Sequence, residues 1–448
     1  MTLFDKYAKL RKTLGSGSLY VDRAKILEFL EGRVKRQDLP ALVVEPTTVT
    51  GVQACVQFAV ERKLSMAICS GLAGKGADDL GGKMLLSTAR FVSAPAFLDG
   101  NSRVQVAAGM SLEALNLDLN RHKVRWPPLF PVAKTASIGA LVASGWQGLR
   151  NWRHGGTISH IGALEWVDGA GNLREAGTRL QGGDPADVLP LLFGSRGELG
   201  ILTNIELLLE EKPQQRIAST IHLSEVAEVT AVLSQIGMSS PAPEIVLLFD
   251  AGALEILGKT PSAAANERTR AMVVCEWRDS PPEKMRTLPH TRWFETAEEV
   301  DKLWASLLEL VPVAAKRCPA HMEGQVVLPA RAFADFEAYT RAVSHEANIS
   351  AALAGTVEVG HMHIWLFLSE DEPRLKRRAN DVLEKMQDYS AQLGGGPAGK
   401  IAPGILKRLA LQRDSWTTGW RVCAKLKERL DPHGIFPIRE PLAQRVLP

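Results

Sequence analysis

Residues with little or no side chain cluster at three places in this 448-residue chain, each beside apolar, strand-like sequence. They are Ser137-Ile138-Gly139-Ala140, Gly155-Gly156 and Gly194-Ser195-Arg196-Gly197-Glu198-Leu199-Gly200-Ile201-Leu202-Thr203. Glycine tolerates positive φ and serine adds little bulk, so the backbone at these places can approach a partner closely. Such a pattern builds a wall for a large flat or phosphorylated ligand. It also demands a scaffold of strands and helices to hold the wall in place.

That scaffold is legible upstream. Leu39–Pro46 is a short apolar strand closed by proline, and Val49–Arg62 carries helical periodicity through Val49, Val52, Val56, Ala59 and Val60. Leu64–Cys69 is a second strand, running into the loop Ser70-Gly71-Leu72-Ala73-Gly74-Lys75-Gly76. A glycine-rich loop at the carboxyl end of a strand is where α/β units hold ligands. Further strands are expected at Met84–Leu86, Arg103–Ala107, Gly162–Val167 and Gly200–Leu209, with a helix at Leu112–Asn120. Two lobes meeting around the small-residue segments account for this order.

Beyond Lys212-Pro213 the texture changes. Strands are expected at Arg216–Leu223, Glu244–Asp250, Ala271–Trp277 and Thr356–Leu368, with helices at Glu225–Ile236 and Leu328–Ala347. This pattern predicts an antiparallel sheet with helices on one face. The whole chain therefore reads as α+β: a helical segment at 1–37, a two-lobed domain at 38–212, an antiparallel cap at 213–404, and a C-terminal helical segment at 405–448 returning to the first domain.

Composition excludes several functions. Lys plus Arg number 53 against 50 for Asp plus Glu, so no basic excess marks the chain for nucleic acid. No run approaches the ~18 apolar residues of a membrane span, and Met1–Tyr7 lacks a signal-like apolar core. The five cysteines are dispersed without a C-x-x-C pair, which fits a cytoplasmic location and argues against zinc or iron–sulfur sites in this chain.

In order and spacing, Val43-Val44-Glu45-Pro46, the loop after Cys69, Ala107-Ala108-Gly109, Ser137-Ile138-Gly139, His154-Gly155 and Gly200-Ile201-Leu202-Thr203 resemble a known domain. It is the FAD-binding domain of the vanillyl-alcohol oxidase and p-cresol methylhydroxylase type, over roughly residues 38–212. The resemblance implies that Ser70, Gly71, Leu72, Ala73, Gly74 and Lys75 cradle the FAD pyrophosphate, with Ser137, Ile138, Gly139, Gly145, His154, Gly155 and Ile201 along the rest of the cofactor. The usual loop reads Arg-Gly-Gly-Gly-Thr-Ser; here Leu72 and Ala73 replace two glycines, and Lys75 offers a counter-charge to phosphate. With no histidine or tyrosine in this loop, the FAD is expected to be non-covalent. His154 stands where relatives often carry an aromatic near the flavin, either packing against the cofactor or taking part in chemistry. Trp126, Trp146 and Trp152 either line the flavin cleft or pack as ordinary core.

The remainder is similar to the cap of the D-lactate dehydrogenase, glycolate oxidase and D-2-hydroxyglutarate dehydrogenase group. The similarity rests on Trp304, Val326–Arg331, Gly355–His363, Leu393–Gly396 and Leu426–Pro432. In that group an arginine clamps a substrate carboxylate, a metal polarises the hydroxyl, and a histidine takes its proton. The metal segment there, Gly-His-x-Gly-Asp-Gly-Asn-x-His, falls on Gly355-Thr356-Val357-Glu358-Val359-Gly360-His361-Met362-His363, with Thr356 in place of the first ligand. Lys400 and Ile401 fall where a ligand glutamate and the base histidine belong, and Leu307 where the arginine belongs. The 2-hydroxy-acid site is therefore expected to be dismantled.

His361 and His363 alternate on an expected strand, so both face one side. They are candidates for catalysis, with Glu358 and His321 as company; the alternatives are metal ligation or a satisfied pair in a cleft. The resemblance implies an FAD-dependent oxidoreductase that moves hydride from a small molecule to FAD and electrons onward. The expected acceptor is an iron–sulfur or other protein partner. Two alternatives stand beside it: an FAD-holding subunit of a redox complex in which another chain oxidises the substrate, and a paralogue that has lost flavin and turnover.

Overall fold

The computed structural model describes residues 3–15, 17–31, 38–70, 80–130, 135–177, 187–258, 269–308, 313, 320–357, 360–398 and 417–437. Its first sheet is built around the helix Val49–Arg62. Thr48 caps that helix by accepting from Gly51 N at 3.1 Å, and Lys63 ends it in a left-handed conformation at φ 53°. Val52, Cys55, Val56 and Ala59 form its buried stripe. The stripe covers strands Leu42–Val44, Met84–Ser87 and Met66–Cys69, paired in parallel in that order. Leu19–Tyr20 adds an antiparallel edge at Val43 and Val44. It divides the N-terminal helical segment into helices Leu3–Leu14 and Arg23–Phe29.

The second lobe is an antiparallel sheet of five strands, in the order Ala96–Leu98, Arg103–Ala107, Ile201–Leu208, Ile161–Val167 and Leu173–Ala176. Its core holds Val104, Val106, Leu164, Trp166 and Ile205, under helix Leu112–Arg121. The C-terminal helix Thr417–Leu430 and the tail after it return to these two lobes. Gly169 N donates to Leu430 O and Met66 N to Ile435 O, both at 2.7 Å.

The cap is one antiparallel sheet of eight strands: Thr291–Phe294, Arg216–Leu223, Ala271–Arg278, Ile245–Asp250, Ser350–Thr356, His361–Phe367, His321–Val327 and Gly396–Ala398. Helices cover both of its faces, not one. Glu228–Gly237, Phe333–Glu346 and Pro373–Gln392 bury one side against Val246, Leu248, Val273 and Ile364. Ala251–Leu257 and Ala297–Leu308 bury the other against Leu247, Phe249, Val274 and Trp365. The physical reason is visible in Ile245–Asp250 and Ala271–Trp277, buried at every position, whereas a one-sided sheet would alternate.

The stretch Thr356–Leu368 also differs from a single strand. Strands Ser350–Thr356 and His361–Phe367 form a hairpin whose turn contains Gly360 at φ 64°. A Cβ there would lie 2.0 Å from Leu328 O, so only glycine permits the reversal. Leu328-Pro329 is extended, with Pro329 at ψ 137°, so the expected helix at 328 begins instead at Phe333 after a short turn.

Candidate functional site

A cleft of about 200 Å³ opens between the two N-terminal lobes. Its walls are Ile68, Cys69 and Ser70 at the end of a parallel strand, Gly139, Ala140, Ala143 and Ser144 on helix Ile138–Ala143, and Ser195, Arg196, Gly197, Gly200 and Leu202. Thr88 and Ala108 complete the lining.

The glycines act here by letting protein segments approach each other. A Cβ on Gly139 would lie 2.7 Å from Ala108 O, where Gly139 N donates at 2.8 Å. One on Gly200 would meet Trp166 Cδ1 at 2.5 Å, and one on Gly197 would meet Ile68 Cδ1 at 2.8 Å. The close packing leaves alanine and serine as the largest side chains on the helical wall, so main chain is exposed to whatever fills the cleft. Among the described residues, the buried Ser70 Oγ has no hydrogen-bond partner. A slot of small residues with an unsatisfied hydroxyl fits a phosphorylated, planar cofactor.

The residues named from sequence take different places around this cleft. Ser70 and Gly139 line it. Ser137 caps the helix by accepting from Ala140 N at 3.1 Å, and Ile138 and Ile201 are buried in the two hydrophobic cores beside it. Gly145 turns at φ 69° against Gly194, and Gly155 at φ 73° ends the short helix Asn151–His154. Gly71, Leu72, Ala73, Gly74 and Lys75 lie outside the described residues. The tryptophans stand apart from the cleft lining: Trp126 is core, Trp146 is exposed, and Trp152 packs onto the cap core.

His154 joins a charged seam between the domains that the sequence reading did not foresee. Arg125 Nη2 reaches Glu244 at 2.5 Å and Glu210 at 2.6 Å, while His154 Nε2 lies 3.4 Å from Glu244. Arg150 reaches Glu276 at 3.5 Å, and Arg216 reaches it at 2.9 Å. Burial alone would raise the Glu244 carboxyl, but His154 and Arg125 hold it down at about 2. The ligand atoms of His154, Glu210 and Glu244 lie within 4.8 Å of one another, yet Arg125 already bridges both carboxylates and supplies the positive charge. The signal for this seam was present: Glu244 immediately precedes one strongly apolar strand and Glu276 interrupts another, and a buried carboxylate needs a cation.

On the cap, His361 and His363 share the sheet face with Trp365. The histidine rings are 5.4 Å apart edge to face, and His363 stacks on Trp365 at 5.6 Å. Gln325 Nε2 donates to His363 Nδ1 at 3.2 Å, which leaves the ring proton on Nε2. Burial lowers both imidazoles, His363 to about 4, so both are neutral near pH 7. Leu149 of the N-terminal domain belongs to the hydrophobic cluster on this same face, which also contains Trp365, and Leu129 packs against that cluster. Thr356 is the cross-strand neighbour of His361. His321 pairs with Phe367, four residues along from His363, or roughly 13 Å at the usual rise per residue. Leu307 is core, and Glu358, Lys400 and Ile401 lie outside the described residues.

The cap and the end of the chain, residues 212–437, match the family model "FAD linked oxidases, C-terminal domain", and residues 40–177 match "FAD binding domain". The chain belongs to the FAD-linked oxidases. It binds FAD and is a flavin-dependent oxidoreductase. A D-lactate dehydrogenase of Anaerostipes hadrus is 24% identical over 426 residues, spanning 89% of this chain and 88% of the relative. The glycolate oxidase subunit GlcD of Escherichia coli (strain K12) is 21% identical over 407 residues, spanning 85% and 79%. Among solved structures, p-cresol methylhydroxylase with substrate bound superposes with a TM-score of 0.74 at 15% identity, covering 96% of this chain and 95% of that one. This FAD-linked oxidase thus shares the vanillyl-alcohol oxidase type of fold, as the sequence implied. Among the described residues, no helix is long and apolar enough to cross a membrane.

Proposed function

We propose that this FAD-linked oxidase oxidises a small hydroxylated molecule held between the cleft and the histidine face of the cap, without the metal used by the 2-hydroxy-acid dehydrogenases it is similar to. The supporting observation is the pair of neutral histidines on the cap face that packs against Leu129 and Leu149. Bound FAD supplies the hydride acceptor. Ser70, the main chain at Gly139 and the loop Ser195–Gly200 would hold it, with Gly71–Lys75 as sequence-based candidates.

The two imidazoles suit different tasks. His363 accepts from Gln325 at Nδ1, so its Nε2–H donates to the substrate oxygen and orients it. His361, lowered by burial alone, takes the hydroxyl proton as hydride leaves the carbon. Trp365 supports the His363 ring from one side. Thr356, where relatives carry a metal ligand, offers a hydroxyl in place of an imidazole.

Electrons then pass to a protein acceptor, for which an iron–sulfur protein is suited; this chain has no cluster-type cysteine spacing of its own. A reducing, cytoplasmic setting fits the dispersed cysteines. The deciding experiment mixes FAD-loaded protein anaerobically with a panel of alcohols and hydroxy acids while following flavin absorbance. At least one neutral alcohol should bleach the flavin, and His361→Gln should slow that bleaching about 100-fold or more. Rapid, metal-dependent bleaching by D-lactate or glycolate would refute the metal-free reading.

A further inference from the structure

We propose that Arg196 is a cofactor-binding residue whose guanidinium pairs with the pyrophosphate of FAD. The inference rests on the flavin assignment of the cleft and adds a contact that sequence comparison alone did not single out.

Three observations support it. Among the described residues lining the cleft, Arg196 carries the only formal charge, and it is positive. The other polar side chains in that lining are the hydroxyls of Ser70, Thr88, Ser144 and Ser195, which cannot neutralise a dianionic linkage. Secondly, Arg196 is exposed yet lies in the lining, which sets it at the rim of the cleft.

Thirdly, its backbone is held firmly. Arg196 N donates to Ala143 O at 2.7 Å, and Gly194 N donates to Val142 O at 3.0 Å, which pins the loop to the helix on the opposite wall. From the other side, Lys427 Nζ donates to Glu198 O at 2.6 Å. Arg196 adopts φ 52° between Gly194 and Gly197, at φ 81° and 80°. Glycine would occupy such a backbone with less strain, so the long side chain is not there for the turn's sake. A planar guanidinium matches phosphate oxygens two at a time.

The test uses apoprotein of Arg196→Gln, Arg196→Lys and Arg196→Gly, titrated with FAD, ADP and riboflavin by fluorescence quenching and calorimetry at two salt concentrations. ADP carries the pyrophosphate without the flavin; riboflavin carries the flavin without phosphate. Arg196→Gln should weaken FAD and ADP together by about 10- to 100-fold and leave riboflavin unchanged. Arg196→Lys should recover part of the loss. Arg196→Gly should lose the same affinity while its melting temperature holds or rises, which separates binding from folding. Unchanged FAD affinity, or equal losses for riboflavin and ADP, would overturn the assignment. Neither result would by itself remove the flavin, whose absorbance in the wild-type protein reports the underlying reading independently.

Discussion

Replacing Glu276 by glutamine tests whether the charged seam couples the two domains energetically. The carboxylate is fully buried and receives Arg216 at 2.9 Å, Arg150 at 3.5 Å and the Trp304 indole N–H. Burial would raise its pKa, but the two arginines hold it below the usual carboxylate value. Glutamine keeps the shape and one acceptor oxygen but leaves Arg150, itself buried, facing a neutral amide. Breaking one side of a buried ion pair costs about 3–5 kcal/mol, and the retained amide places this case near 3. Against a typical total of roughly 5–15 kcal/mol, that is a large fraction. With a urea m-value of roughly 3 kcal/mol/M, the midpoint of the cap transition should fall by about 1 M. Trp304 bonds directly to Glu276 and is one of the ten tryptophans whose summed fluorescence follows the transition. The loss should persist in high salt, because a buried pair is poorly screened. Glu276→Met combined with Arg216→Met should recover part of it. A shift below roughly 1 kcal/mol, or a double variant no better than the single one, would show that the seam carries no such coupling.

Gly139→Val should abolish FAD retention while the cap remains folded, since even a Cβ would stand 2.7 Å from Ala108 O; visible absorbance and circular dichroism together check this. Lys75→Glu should weaken FAD retention by placing a negative charge near the pyrophosphate, and unchanged flavin content would remove Lys75 from that position. The buried His363 ring titrates at about 4 when folded and near 6.5 when unfolded, so the unfolded chain binds the extra proton between these values. Its contribution is therefore fully present above pH 6.5 and is lost as pH falls towards 4, by roughly 2 kcal/mol once residual exposure is allowed for. Urea midpoints across that range should show this slope in the wild type and a reduced one in His363→Gln.

Local periodicity carried most of the fold. The helix at Val49–Arg62 and the strands at Arg103–Ala107 and Arg216–Leu223 have the bounds expected from apolar spacing, because there the local pattern and the tertiary contacts agree. The fold departs from that reading where a single residue decides. Gly360 turns one apolar run into a hairpin, and strands without alternation hide which face a helix will cover. For the site, small residues announced a cleft but not which of them would face it. Ser137, Ile138 and Ile201 serve the cap and the cores of their elements, whereas Ala140, Ala143 and Ser144 form the wall. The seam of Arg125, Arg150, Glu244 and Glu276 joins residues up to 151 positions apart, and only the folded chain brings such distant charges together.

The bond from Lys427 to Glu198 O bears on how the protein matures. The same ammonium also donates to Phe436 O at 2.7 Å and pairs with the Asp431 carboxylate at 2.5 Å, so one side chain fastens two backbone carbonyls and a carboxylate. Residues 195–200 are translated more than two hundred codons before their anchor. During synthesis, the nascent N-terminal domain leaves the ribosome with this wall held by its bonds to Val142 O and Ala143 O but without the Lys427 brace. The last brace of the nucleotide slot therefore forms only once the C-terminal helix has been made.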